Sequence, residues 1–249
     1  MFENIYLDAP TYAYDMFYEE KYKEFSNIHF DVQFDISPFG MRKEFDYPLG
    51  LVVPSYEKND KILSIGAMNC MLSVYLSNYI DNFYAIDNNP DFLKREWIYS
   101  YITSWGMKYD WSNTVSLQHM TATNLKFGND FFDKIISISV FEHILPHQDR
   151  LKAFQEMRRV LKPGGQIFLT IEFNTDNYMV LAPSVSGSIF SLEYLLDIVD
   201  QSGLQIVNDL NYLVNWDELK EKSRYANWFI HLEERNELFC PAYILLTKK

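Results

Sequence analysis

Cysteine and glycine are scarce in this chain of 249 residues, which contains two cysteines and nine glycines. Cys70 and Cys240 lie far apart and belong to no cluster of closely spaced cysteines and histidines. Such a cluster is what a disulfide framework or a thiolate metal site requires. We therefore predict no metal ion in this protein.

Positive charge is also in deficit, because 22 lysines and arginines stand against 34 aspartates and glutamates, and the formal net charge is −12. The densest basic run, Arg158, Arg159 and Lys162, is too small to form a basic patch. A field of this sign repels phosphate backbones and anionic membrane surfaces. The composition therefore predicts that neither nucleic acid nor a membrane is a partner.

Long apolar runs are missing as well, since no stretch approaches the roughly 20 residues that a membrane-spanning helix needs. The first residues, MFENIYLDAPTY, lack the basic segment and following apolar segment of a secretory signal peptide. On these grounds we expect a cytoplasmic protein.

Aromatic residues, in contrast, are abundant at 17% of the chain, with 18 tyrosines and 19 phenylalanines. Near the N-terminus, Tyr14, Phe17 and Tyr18 recur at the spacing of an amphipathic helix. We predict that residues 1–55 form an aromatic-rich cap on a main domain of residues 56–249. The cap either covers a sheet edge or forms a lid over a substrate pocket, and the sequence favours neither alternative.

From Lys61 onward, apolar runs that predict strands alternate with amphipathic stretches that predict helices. The predicted strands are 61–65, 83–87, 115–120, 131–140, 166–173, 204–216 and 237–249. The predicted helices include 68–80, one beginning near Pro90, 147–162 and one capped by Ser191. We interpret residues 174–190 as a loop. This alternation indicates a parallel sheet with helices on both faces. The predicted fold is α/β, with a Rossmann-like seven-stranded mostly parallel sheet and an antiparallel strand at one edge.

The stretch Lys61–Asp87 has the order of a nucleotide-binding βαβ unit: strand, tight turn, helix, strand and acid. Gly66 ends the first strand and allows the backbone to pass close to a ligand. The amides that open helix 68–80 offer hydrogen-bond donors to a carboxylate. Asp87 ends the second strand, where an acid can accept hydrogen bonds from ribose hydroxyls.

Four segments together make the chain resemble the class I S-adenosylmethionine-dependent methyltransferases, in particular those of type 11. The segments are KILSIGAMNC, FYAIDNNPDFL, TATNLKFGNDFFDKIISISVFEHI and EMRRVLKPGGQIFLT, and the resemblance covers roughly residues 55–205. The last two are long and specific. In the first, the family usually has three glycines and an acid, whereas this chain has only Gly66 and carries Ser64 in the place of the acid.

The resemblance implies S-adenosylmethionine as the cofactor and assigns a set of residues to it. The implied cofactor-binding residues are Ser64, Gly66, Ala67, Met68, Asp87, Asn88, Ala122, Thr123 and Ser139. Ala122 and Thr123 fall where the family holds the adenine edge, and Ser139 falls where backbone carbonyls receive the ammonium group. His143, in the segment FEHI, is the candidate catalytic base for a hydroxyl acceptor. The alternative for His143 is local packing or capping.

The function that this resemblance implies is methyl transfer to a small-molecule acceptor or a biosynthetic sugar, with a homodimer left open. The alternative is a catalytically inactive methyltransferase-like protein that serves as a binding partner or scaffold, because the glycine turn is degraded. A nicotinamide-dependent oxidoreductase is disfavoured, since pyrophosphate binding needs the second and third glycines that this turn lacks.

Overall fold

The computed structural model describes most of the predicted main domain and little of the predicted cap. The described residues are Asp46, Gly50, 53–68, 70–94, 115–174, 180–182, 187–207, 230–232 and 237–248. The predicted aromatic helix of the cap lies outside these residues, as does most of the helix predicted from Pro90. The same holds for residues 208–216 of a predicted strand.

Ten strands and three α-helices make up the described part of the chain. The strands are β1 Lys61–Ile65, β2 Asn82–Asp87, β3 Val115–His119, β4 Phe132–Ile138, β5 Leu161–Asn174, β6 Val180–Ala182, β7 Gly187–Ser191, β8 Leu204–Ile206, β9 Ile230–Leu232 and β10 Glu237–Lys248. The helices are α1 Met71–Ser77, α2 His147–Val160 and α3 Leu192–Ser202, and single 3₁₀ turns occur at Pro90–Leu93 and Phe141–His143.

The main path of the sheet runs in the order β3-β2-β1-β4-β5-β10-β8. The first five of these strands are parallel, and β10 is antiparallel to both β5 and β8. This arrangement confirms the predicted mostly parallel α/β sheet. The antiparallel strand lies one position inside the edge, which β8 occupies. The strand order reverses between β1 and β4, and ligands of such sheets bind at the carboxyl ends of the strands at this switch point.

The core is built around the two strands on either side of the switch point. Ile62 and Leu63 of β1 are fully buried, as are Ile135 and Ile136 of β4. Consecutive buried residues point to opposite faces of a strand, so both faces are covered, as expected for a parallel sheet. Burial of each such side chain contributes about 1.5–3 kcal/mol to folding. This core fixes the carboxyl ends of β1 and β4 at the switch point.

Helix α1 is shorter than the predicted helix 68–80, because Cys70 has an extended backbone, with a φ of −87° and a ψ of 100°. The Ala67 amide donates to the Ile86 carbonyl at 3.0 Å, and the Met68 amide donates to the Asp87 carboxylate at 2.9 Å. Both bonds tie the turn to the end of β2. The helix begins only after Cys70.

The stretch 174–190, interpreted as a loop, contains the hairpin of β6 and β7. Strand β7 also pairs with β5, where Phe190 lies opposite Phe173, and both rings are fully buried. The prediction of Ser191 as a helix cap is confirmed, since its hydroxyl accepts a hydrogen bond from the Tyr194 amide. Among the described helices, none has the length and apolar character needed to cross a membrane.

Candidate active site

A cavity of about 620 Å³ opens at the carboxyl ends of the parallel strands. The last residues of three strands line it, namely Ile65 of β1, Asp87 of β2 and Ile138 of β4. The other lining residues are Gly66, Met68, Cys70, Asn88, Met120, Thr121, Ala122, Thr123, Ser139, Val140, His143, Ile144, Leu145 and Asp149. The cavity therefore lies at the switch point of the sheet, where the fold places ligands.

Gly66 is required by its own conformation and by its neighbour across the cavity wall. Its φ is +69°, a left-handed value that favours glycine, and a Cβ atom there would lie 2.2 Å from Cγ2 of Val140. The turn after β1 and the residues after β4 thus pack directly against each other. The sequence predicts close approach of a ligand at Gly66, and the structure adds the contact with Val140.

The Asp87 carboxylate binds the turn after β1 and the loop after β2. One oxygen accepts a hydrogen bond from the Met68 amide at 2.9 Å, and the other accepts from the Asn89 amide at 2.8 Å. An ionised carboxylate offers about four acceptor positions, so further capacity remains for a bound diol. Asp87 is held in place before any ligand arrives.

Two of the residues assigned to the cofactor from the sequence do not line the cavity. Ser64 is 1% exposed, and its hydroxyl is hydrogen-bonded to the Ser73 hydroxyl of α1 at 2.6 Å. Neighbouring side chains alternate between the faces of a strand, and that of Ser64 points toward the helix. Ala67 is fully buried behind the turn. The other seven assigned residues, and His143, all line the cavity.

The loop after β3 brings Ala122 and Thr123 to the cavity. The Met120 amide donates to the Asp87 carbonyl at 2.9 Å, which joins this loop to the end of β2. The Thr121 and Thr123 hydroxyls are 3.0 Å apart and hydrogen-bonded to each other. Thr121, which stands where the family commonly has an acid, therefore presents a hydroxyl that already has a partner.

A second anchor of this loop comes from α2, within the motif EMRRVLKPGG. The Arg159 guanidinium donates to the carbonyls of Leu125 and Phe127, both at 2.8 Å, and Glu156 accepts from the Leu125 amide at 2.8 Å. The hydrogen bond from Arg159 lowers the pKa of the Glu156 carboxyl, although partial burial opposes the shift. The motif residues thus hold the loop that carries Ala122 and Thr123.

Ser139, just after β4, has a left-handed φ of +51°, which is unusual for a residue other than glycine. Its amide donates to the Thr170 carbonyl at 3.0 Å, and its hydroxyl donates to the Asp46 carboxylate at 3.2 Å. Asp46 is fully buried and comes from the segment predicted to be a cap. No motif marks Asp46 in the sequence, so sequence reasoning missed it.

His143 lies at the end of the 3₁₀ turn Phe141–His143, and its side chain is exposed at the cavity. An exposed position fits the catalytic assignment and equally the alternative of local packing or capping. Ile144, Leu145 and Asp149 follow it in the wall and were not predicted from the sequence. They were missed because they lie in a loop and at a helix start, where no periodicity indicates which side chains face a ligand.

The lining residues described here carry two carboxylates, Asp87 and Asp149, and no lysine or arginine. A pocket with this charge favours a cation over an anion. S-Adenosylmethionine is a sulfonium with a ribose diol, and Asp87 offers free acceptor capacity beside the Gly66 turn. The residues present therefore fit this cofactor.

Residues 63–169 match a family model described as a methyltransferase domain. Probable tRNA methyltransferase 9B of Homo sapiens is 48% identical over 48 residues, which are 19% of this chain and 11% of that protein. A tRNA (carboxymethyluridine(34)-5-O)-methyltransferase of Arabidopsis thaliana is 42% identical over 50 residues, which are 20% of this chain and 12% of that protein. The chain thus spans about a tenth of the length of these relatives.

Among solved structures, a SAM-dependent methyltransferase from Methanosarcina mazei superposes with a TM-score of 0.53 and 18% sequence identity. The match covers 80% of this chain and 96% of that one. At this level of identity the likeness concerns the fold, and it agrees with the sheet order described above.

The prediction that nucleic acid is not a partner, with a small molecule as the acceptor instead, is contradicted by the relatives named as tRNA methyltransferases. The prediction rested on the net charge of the whole chain. Repulsion between exposed charges is screened over about 8–10 Å at physiological salt, so the total charge does not decide what one site contacts.

Proposed function

We propose that this chain, which belongs to the class I S-adenosylmethionine-dependent methyltransferase family, transfers a methyl group from that cofactor to RNA, with tRNA as the acceptor class. The observation that carries the proposal is the cavity, which joins the Gly66 turn and Asp87 to the exposed His143. The local identity to tRNA methyltransferases supports the choice of RNA.

S-Adenosylmethionine supplies an activated methyl group on sulfur when it is bound. In the proposed site, Asp87 accepts hydrogen bonds from the ribose hydroxyls, while Ala122 and Thr123 border the adenine. The Gly66 turn and the carbonyls after β4 border the amino-acid end. Ile65 and Ile138 line the cavity between these groups and limit the access of water. Alignment in such a site supplies much of the rate of a methyl transfer.

His143 is the residue that we assign to the acceptor side. A hydroxyl acceptor must lose its proton during the transfer, and an exposed imidazole at the cavity can take it. A carboxylate acceptor carries no such proton. The His143→Ala variant therefore loses most of its turnover with a hydroxyl acceptor and little of it with a carboxylate acceptor.

We further propose that residues 1–55 cap the cavity of the methyltransferase domain at 56–249. The supporting contact is made by Asp46, whose carboxylate accepts a hydrogen bond from the Ser139 hydroxyl in the cavity wall. The full burial of the Asp46 side chain supports this proposal. A cytoplasmic location is retained as a prediction from the sequence.

A second candidate function is that of a non-catalytic binding protein. It is favoured by Met68 and Cys70, whose side chains line the cavity where the family usually has glycine. Side chains at these positions reduce the room for the amino-acid end of the cofactor. Titration with the cofactor separates the two candidates, because a non-catalytic protein of this kind binds none.

The proposal is tested by incubating the purified chain with S-adenosylmethionine tritiated on the methyl group and with total tRNA. Ribosomal RNA and a mixture of small metabolites serve as parallel acceptors, and the Asp87→Ala variant is the negative control. We expect label in the tRNA fraction with the wild type and much less label with the variant. Label in the metabolite fraction alone, from a protein that binds the cofactor, would contradict the RNA acceptor.

A further inference from the structure

Arg150 of α2 is a fully buried arginine that no motif singles out. Its Nε donates to the Phe141 carbonyl at 2.7 Å, and one Nη donates to the Glu142 carbonyl at 3.1 Å. The Nη atoms also donate to the hydroxyls of Ser188 on β7 and Tyr194 on α3. The guanidinium therefore joins the 3₁₀ turn after β4 to two later elements.

Two aromatic rings lie beside this guanidinium. Its central carbon lies 4.8 Å from the ring centroid of Phe190 and 5.4 Å from that of Tyr194, and the two rings contact each other edge to face with their centroids 5.2 Å apart. Ring contacts and a planar fork of donors restrict an arginine to one orientation far more than a lysine. The position of the charge is thereby fixed relative to β7 and α3.

The two carbonyls held by Arg150 lie between two parts of the cavity wall. Ile138–Val140 line the cavity on one side of them and His143–Leu145 on the other, while Phe141 and Glu142 are buried beneath. The Ser188 hydroxyl also donates to the Glu142 carbonyl, at 3.2 Å. The turn that presents His143 is thus fastened from below at both of the residues that precede it.

We propose that Arg150 is a positioning residue for the methyl transfer, which it serves by fixing the turn Phe141–His143 and hence the acceptor side of the cavity. The predicted effect on methyl transfer rests on the proposed function. The predicted fixing of the turn rests on geometry alone. Arg150 does not line the cavity, so it acts through the turn. The hydrogen bonds of Arg150 described above do not involve Asp87 or Gly66, which hold the cofactor side.

The first test is hydrogen–deuterium exchange of the cofactor-free protein, which requires no substrate. Arg150→Lys keeps the charge but replaces the fork of donors by one ammonium group, which cannot reach all four acceptors. Arg158→Lys on the same helix is the matched control, since Arg158 donates to the single carbonyl of Gly203 at 3.0 Å. We expect faster exchange at the amides of His143 and Ile144 in Arg150→Lys, with β1 and β2 unchanged, and no such local change in the control.

The second test separates cofactor binding from turnover. For Arg150→Lys we expect the Kd for S-adenosylhomocysteine to stay within about twofold of the wild type. We expect kcat with tRNA to fall by about tenfold or more, because a misplacement of about 1 Å can lower a rate by about 100-fold. Ser188→Ala and Tyr194→Phe each remove one acceptor of the guanidinium and should lower kcat in the same sense but less.

Three results would overturn the proposal. One is unchanged exchange at His143 and Ile144 in Arg150→Lys. Another is a uniform rise of exchange over the whole sheet with equal losses in cofactor affinity and turnover, which indicates a role in stability only. The third is an equal effect of Arg158→Lys. If the wild type transfers no methyl group at all, the proposed function fails, while the exchange experiment still decides whether Arg150 fixes the turn.

Discussion

On the side of β1 and β2, the loops of the cavity wall are held by hydrogen bonds from backbone amides to one carboxylate, whereas the turn after β4 is held by a buried side chain. On the first side, one glycine turn and one carboxylate, Asp87, fix the loops through backbone amides. On the second side, Arg150 binds carbonyls of the turn that carries His143. The two sides also differ in sequence, because the first departs from the family pattern and the second keeps it.

The first side shows that a motif can lose some of its usual residues and still keep its geometry. Two glycines of the first motif are replaced, yet Gly66 keeps its left-handed φ and Asp87 keeps its bonds to the turn. The segment EMRRVLKPGG retains the family pattern, and its residues Glu156 and Arg159 hold a loop of the cavity. Substitution of Asp87 should therefore affect cofactor affinity, whereas substitution of Glu156, which does not line the cavity, should affect stability.

The largest effect is expected for Gly66→Ala. The left-handed φ costs about 1–2 kcal/mol for a residue with a Cβ, and overpacking against Val140 costs about 1–3 kcal/mol more. Urea unfolding should thus show a loss of about 2–5 kcal/mol. Gly164→Ala is the matched control, because Gly164 has a φ of +76° but open space around its Cβ position, and it should lose only the first part. Equal losses in both variants would refute the contact with Val140.

Asp87→Ala should have the next largest effect, and the effect should appear in cofactor binding. Lost hydrogen bonds to a charged group correspond to about 1–3 kcal/mol of affinity for S-adenosylhomocysteine. Asp91→Ala is the control, since Asp91 pairs with Lys94 at the surface and does not line the cavity. Calorimetric titration measures both variants. An affinity of Asp87→Ala equal to that of the wild type would mean that the ribose lies elsewhere.

A smaller effect is expected for Glu156→Gln, and it should appear in stability. The variant keeps the shape of the side chain but weakens the bonds from Arg159 and from the Leu125 amide, which should cost about 1–2 kcal/mol in urea unfolding. Cofactor affinity should change little, because Glu156 acts on the loop from behind. A large loss of affinity without a loss of stability would contradict the assignment of Glu156 to stability.

The smallest effect concerns pH. Because Arg159 lowers the pKa of Glu156 below its ordinary value of 4.5, the folded state favours the ionised form of this carboxyl. Its contribution to stability is therefore complete above pH 4.5 and is lost as the pH falls through the lowered pKa. The difference in unfolding free energy between wild type and Glu156→Gln should shrink in that acidic range. A difference that grows on acidification would contradict the direction of the pKa shift.

The sequence predicts the sheet well, because buried parallel strands are continuous apolar runs, and β1 has the predicted bounds Lys61–Ile65. It predicts the start of helix α1 poorly, because the helix is preceded by an extended residue, Cys70. The turn before Cys70 is tied to β2 by the amides of Ala67 and Met68, and no local pattern reveals these partners. Ser64 was assigned to the cofactor by position in a motif, while its orientation depends on the partner Ser73 in the next helix.

The parts of the site that sequence reasoning missed depend on contacts between distant segments. Asp46 meets Ser139 across 93 positions of the chain, and Arg150 meets Tyr194 across 44. Such pairs carry no spacing signal. Gly66 and Asp87, in contrast, lie within one βαβ unit whose order of elements specifies their roles.

The central claim is that the cavity between Gly66 and Asp87 binds S-adenosylmethionine despite Met68 and Cys70 in the turn. Isothermal titration of the wild-type chain with S-adenosylmethionine, with Asp87→Ala alongside, tests it most directly. The account predicts saturable one-site binding by the wild type and weaker binding by the variant. No measurable heat with the wild type at high micromolar cofactor would contradict it.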